Sequence, residues 1–124
     1  MDKTSQGDSD VAPVYCPIFQ HVMELLGRRW SGVILRELLH GTDRFSDLRR
    51  AIPGLTDRLL ADRLDEFEAE GLLTRDFQEA GIPIYRLTLR GLDLRQTITA
   101  VETHAEQWAD SCHLATRPGR RVCL

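Results

Sequence analysis

Up to Gly71 the apolar positions recur at helical spacing. Cys16-Pro17 opens the first periodic stretch, because proline suits the first helical position and leaves Cys16 near the N-cap. Ile18, Val22 and Leu25 or Leu26 make its apolar face, and Gly27 ends it. Arg28-Arg29-Trp30 leads into a second helix, with Trp30, Ile34 and Leu38 on one stripe, Leu35 and Leu39 beside it, and Gly41 as its stop. Phe45, Leu48 and Ile52 predict a short third helix, closed by Pro53-Gly54. Thr56 can cap a fourth, whose buried stripe is Leu60, Leu64 and Phe67 and whose left-handed terminus is Gly71. Two helices joined by a tight break in this way form a helix-turn-helix.

After Gly71 the period changes to that of strands. Leu72 to Gln78 and Ile84 to Thr88 flank a turn at Glu79-Ala80-Gly81-Ile82-Pro83, which predicts a β-hairpin, or wing, directly after the fourth helix. Helical spacing returns from Leu89 to about Ala115. There Leu94, Ile98, Val101, Ala105, Trp108 and Cys112 alternate spacings of four and three, as an a/d seam does. A seam of that length is more simply explained by pairing with a second chain than by an intrachain role. The expected fold is mainly α with a small β-hairpin: a winged helix-turn-helix over residues 14–115, between a disordered tail at 1–13 and a basic flexible tail at 116–124.

Charge refines this picture. The net charge is −3, yet Arg28 to Arg63 holds eight arginines against five acids, and Leu64 to Ala80 holds six acids against one arginine. Basic and acidic surfaces are expected to be segregated. Lys3 is the single lysine; a GC-rich genome and a use for bidentate arginine both account for that. No apolar run approaches the length of about 20 residues that spans a bilayer, and the acidic, polar N-terminus lacks an apolar signal core. A cytoplasmic protein without a membrane partner is expected. Cys16, Cys112 and Cys123 form no metal-ligand spacing, so neither a metal nor a cofactor is expected. With no glycine-rich phosphate loop and no paired nucleophile and base, an enzyme is not expected either.

Several short motifs in order resemble the HxlR family of bacterial transcription regulators. They are Cys16-Pro17, Leu26-Gly27-Arg28-Arg29-Trp30, Ile34-Leu35-Arg36-Glu37-Leu38, Arg44 to Arg50, Ile52-Pro53-Gly54-Leu55-Thr56, Leu60 to Leu64, Glu70-Gly71-Leu72-Leu73 and Tyr85-Arg86-Leu87-Thr88. The resemblance covers about Cys16 to Trp108. It implies a MarR-like winged helix-turn-helix, a homodimer built from the first and last helices (Ile18, Val22 and the seam residues), and repression or activation at a near-palindromic operator. It also implies a candidate oxidant or electrophile sensor at Cys16. One departure is the wing tip. Where family wings carry a basic residue, Ala80 to Tyr85 carries none, which leaves Arg75 and Arg86 at the wing base for any contact with DNA.

On this basis double-stranded DNA is the expected partner. A recognition helix enters the major groove with its N-terminal turns facing base edges. That assigns Arg58 to base readout, most naturally of guanine O6 and N7. Thr56 can contact DNA or simply cap the helix, and Ala61 permits close approach. Asp57 and Asp62 can accept from cytosine N4 or pair with a neighbouring arginine. Ser46, Arg49 and Arg50, on the preceding helix, read as phosphate contacts that set register, or for either arginine a solvated face. Cys16, at a helix N-terminus, sits where a thiol is reactive, and Cys112 on the seam is its candidate partner; packing is the plainer role for both. His104, Trp108 and Cys112 share a helical face that suits seam packing or a small-molecule effector. The alternative function is a winged-helix protein-interaction module without DNA binding.

Overall fold

The computed structural model describes residues 16–78 and 81–113. These form six helical segments and one two-stranded antiparallel sheet. The chain divides into two compact units between Gly32 and Val33.

In the first unit, α1 (Pro17–Gly27) starts as expected. Pro17 takes the first turn and Cys16 is the N-cap, its Sγ accepting from the Phe19 amide at 3.5 Å. Ile18, Phe19, Val22 and Met23 are all exposed along this helix. The second helix does not run through Trp30. Trp30 holds φ at +75°, in the left-handed region that side chains other than glycine rarely occupy. The Ser31 amide bonds back to the Arg28 carbonyl at 3.0 Å, and α2 (Ser31–Leu39) begins only after this turn. Trp30 therefore lies in the turn before α2 and is not the first member of its apolar stripe.

In the second unit, α3 (Phe45–Ala51) and α4 (Asp57–Ala69) are joined through Gly54 at φ +88°. The buried stripe of α4 is Leu60, Leu64 and Phe67, with Leu48, Ile52 and Leu55 also buried in the preceding segment. Thr56 caps α4, its hydroxyl accepting from the Leu59 amide at 3.1 Å. The far end closes as a Schellman motif. Gly71 takes φ +79°, and the Leu72 amide reaches the Phe67 carbonyl at 2.9 Å. Strands β1 (Leu73–Phe77) and β2 (Pro83–Leu87) pair in the register Leu73 to Leu87 and Phe77 to Pro83. The β2 edge is tied to the α2–α3 loop by the Tyr85 amide, 2.8 Å from the Asp43 carbonyl.

The long C-terminal helix is broken, contrary to the continuous period from Leu89. A single helical turn, α5 (Leu89–Leu92), is capped by Thr88 and followed by a hydrogen-bonded turn at Asp93-Leu94, and α6 runs Arg95–His113. The cause lies in Thr88 and Gly91. The Thr88 hydroxyl donates to the Gly71 carbonyl and accepts from the Gly91 amide, and Gly91 packs directly on the Leu72 backbone. α5 is thus fastened to the end of α4, while α6 follows contacts of its own. Arg95 donates to the Leu39 carbonyl at 3.2 Å, and Glu102 pairs with Arg36 at 2.5 Å.

That anchoring changes the expected interchain seam. Ile98 is 9% exposed, buried within its own chain, and Leu94 is half-buried there. Val101, Ala105 and Trp108 are exposed. The regular spacing hides this change of environment, because period alone does not tell a helix which neighbour it meets. No helix among the described residues is long and apolar enough to cross a membrane.

Candidate nucleic-acid interface

The helix-turn-helix places the predicted contacts on α3, the N-terminal turns of α4, and the wing. Ser46 is exposed on α3. Arg49 and Arg50 follow it, and neither is a bare cation. Arg49 Nε lies 2.5 Å from Asp57 Oδ1, the first residue of α4, and Arg50 is paired with Asp47 on its own helix. At the wing, Arg75 pairs with both Asp65 and Glu68 of α4, and its guanidinium lies 5.6 Å over the Tyr85 ring. Arg86 Nε is 2.9 Å from Asp76 Oδ2 across the hairpin.

Arg58 differs. It is exposed on the first turn of α4, and among the described residues it has no ion-pair partner. Ala61 is half-buried beside it, and Asp62 is exposed. Thr56 acts as a cap, its hydroxyl oxygen accepting from the Leu59 amide.

The acids therefore do not form a surface of their own. Asp65, Glu68 and Asp76, from the acid-rich run, hold arginines of the wing. These pairings were missed in the sequence because they join positions seven or ten apart through a turn, beyond the reach of helical or strand periodicity. The one clue is the interleaving of Asp57 with the arginines. Tyr85 is buried beneath Arg75, and that burial pushes its phenol above the ordinary tyrosine value; the guanidinium partly offsets this, whereas Asp65 and Glu68 add to it.

Cys16 is exposed at the N-cap of α1. Cys112 lies on α6, and its side chain is outside the described residues, as is Cys123. His104 and Trp108 face each other with ring centroids 6.4 Å apart. An open groove of 580 Å³ is lined by Leu92, Asp93, Arg95, Gln96, Thr99 and Ala100, not by that ring pair. Among the described residues no cluster of His, Cys, Asp or Glu could hold a metal.

A family model for the HxlR-like helix-turn-helix matches residues 25–113, which takes in the helix-turn-helix, the wing and α6. The chain belongs to the HxlR-like helix-turn-helix family. Members of this family are transcriptional regulators and not enzymes. One similar protein is the uncharacterised HTH-type transcriptional regulator YvaP of Bacillus subtilis, 37% identical over 101 residues, covering 80% of this chain and 94% of YvaP. The reduced form of the regulator YodB of B. subtilis has a similar structure, at a TM-score of 0.68 and 30% identity, covering 78% of this chain and 97% of YodB. Quinone-bound YodB superposes at a TM-score of 0.65 with 32% identity, covering 75% and 99% of the two chains.

Proposed function

We propose that this HxlR-like chain is a sequence-specific DNA-binding regulator that acts as a homodimer on a near-palindromic operator. The observation that carries this is Arg58: an exposed guanidinium without an ion-pair partner among the described residues, on the first turn of a capped helix, in a helix-turn-helix. Such a turn meets base edges in the major groove, where Arg58 can take guanine O6 and N7 together. Ser46, Arg49 and Arg50 would fix register on phosphates. The exposed apolar side chains of α1, and Val101 and Trp108 of α6, are the surfaces expected to be covered by a second copy.

An oxidant or electrophile is the proposed signal. In support, Cys16 is exposed at a helix N-cap, and the similar regulator YodB has been solved both reduced and with a quinone bound. Modification of that thiol would alter the N-terminus of α1, one of the two helices assigned to the dimer.

A gel-shift titration on the chain's own upstream DNA tests both parts. Reduced protein should bind half-sites about 10 bp apart or a multiple of that, with steep loss of affinity on adding salt. Arg58→Ala should relax base preference, and Arg50→Ala should weaken all sites alike. Diamide should release the wild type but not Cys16→Ser. Release that persists in Cys16→Ser removes this residue as the sensor.

A second reading, an interaction module without DNA function, draws on the four arginines already paired with acids and on the exposed Phe77 and Ile82 of the wing. It predicts no salt-sensitive binding to the same DNA.

A further inference from the structure

The contact between Arg49 and Asp57 joins the two helices of the helix-turn-helix at the point where backbone and base contacts should divide. Asp57 opens α4 and its side chain is 76% exposed, whereas Arg49 on α3 is 36% exposed. The bond runs from Nε to Oδ1 at 2.5 Å. A carboxylate has about four acceptor positions and a guanidinium five donors. A single Nε–Oδ1 bond therefore draws the two groups together and leaves capacity on each.

We propose, resting on the DNA-binding function above, that Asp57 is a specificity-determining residue whose carboxylate accepts from cytosine N4 in the major groove, with Arg49 as the residue that positions it. The argument is one of charge. A carboxylate on the groove-facing turn is repelled by phosphates and by the acceptor edges of guanine and thymine, so the acceptor capacity that Arg49 leaves open matches only a base-edge donor. Two bases offer one. Adenine places its N7 acceptor beside the N6 donor, which repels a carboxylate, whereas cytosine N4 has no acceptor neighbour on its groove edge. Cytosine is the better match. The same carboxylate neutralises Arg49 in the free protein and so weakens sequence-blind binding, which depends on unpaired cations meeting phosphates. Asp57 thus favours the operator twice: it accepts one base and discourages the rest of the genome.

The test is selection of bound sequences from duplexes carrying a randomised half-site within the chain's own upstream DNA, with the full chain reduced. Wild type should recover cytosine at one position per half-site. Asp57→Ala should lose that preference, with discrimination there falling about tenfold, the other positions unchanged, and affinity for random duplex raised. Asp57→Asn should move the preference towards adenine, because an amide matches N6 and N7 together. Arg49→Gln should weaken binding to every sequence and blunt the same cytosine preference, an effect that loss of a phosphate contact alone does not produce. If Asp57→Ala recovers the wild-type half-site with cytosine intact, the proposal is wrong while DNA binding stands. If wild type itself recovers no preferred sequence, the DNA-binding function fails and the proposal with it.

Discussion

Arg75 Nε stands 3.0 Å from Glu68 Oε1, and this pair fastens the first wing strand to the last turns of α4. The same guanidinium takes Asp65 and covers the Tyr85 ring. One side chain thus sets how the wing sits against the helix that precedes it. Arg75→Gln should leave the melting temperature nearly unchanged, since partly exposed ion pairs contribute little to global stability. It should instead raise amide hydrogen exchange across Leu73–Phe77 and Pro83–Leu87. Unchanged exchange in both strands would rule out this role.

Gly91 is constrained by its surroundings and not by its backbone angle. A Cβ there would lie 2.2 Å from the Leu72 carbonyl oxygen and 2.9 Å from Leu87 Cδ2. Neither the Leu72 backbone nor the paired strand can withdraw without opening the α4–wing junction. Gly91→Ala is therefore expected to destabilise by at least about 1–3 kcal/mol, read as a lower urea midpoint at constant slope. Gly27, whose added Cβ would meet nothing within 4 Å, is the control and should tolerate alanine.

Thr56 separates capping from DNA contact. Its hydroxyl receives the Leu59 amide, so Thr56→Ala should cost about 1 kcal/mol of stability. Thr56→Gly also removes the hydroxyl, but glycine is tolerated at an N-cap and should cost much less stability than alanine. If the glycine variant binds DNA as wild type does, capping accounts for the residue; a thermal melt and a gel shift on the same samples give both readings.

Alkaline stability should depend on Tyr85. Burial raises its folded-state pKa above the unfolded value of 10.0, so the neutral phenol is the form the fold favours. The stabilisation is fully present below the unfolded value and is lost as pH rises through the folded one. Denaturation curves taken between about pH 8 and pH 11 should show this decline in the wild type and a shallower one in Tyr85→Phe. An equal decline in both proteins would exclude Tyr85 as its source.

The helix ends could be read in the sequence because the residues that make them act locally. Pro17, Thr56, Gly54 and Gly71 each occupy the position that their backbone chemistry predicts. The apolar stripe of α4 was equally legible, since Leu60, Leu64 and Phe67 can share only one face. What could not be read was set by distant neighbours. The interruption at Asp93-Leu94 comes from Thr88 and Gly91 docking on the end of α4. The left-handed turn at Trp30 interrupts a spacing that looked continuous. The arginines were found as a set, but which of them are paired depends for Arg49, Arg75 and Arg86 on carboxylates brought in by turns; of the five, Arg58 has no ion-pair partner among the described residues.

Trp108 projects from α6 with 67% of its surface exposed, whereas Trp30 is half-buried. The chain thus has an intrinsic optical probe at its proposed contact between copies. Emission from a wetted indole lies to the red and quenches readily with iodide; once covered, it moves to the blue and is shielded. Dilution of the protein should reverse that shift, so its concentration dependence gives an association constant without a label, and Trp108→Phe supplies the blank.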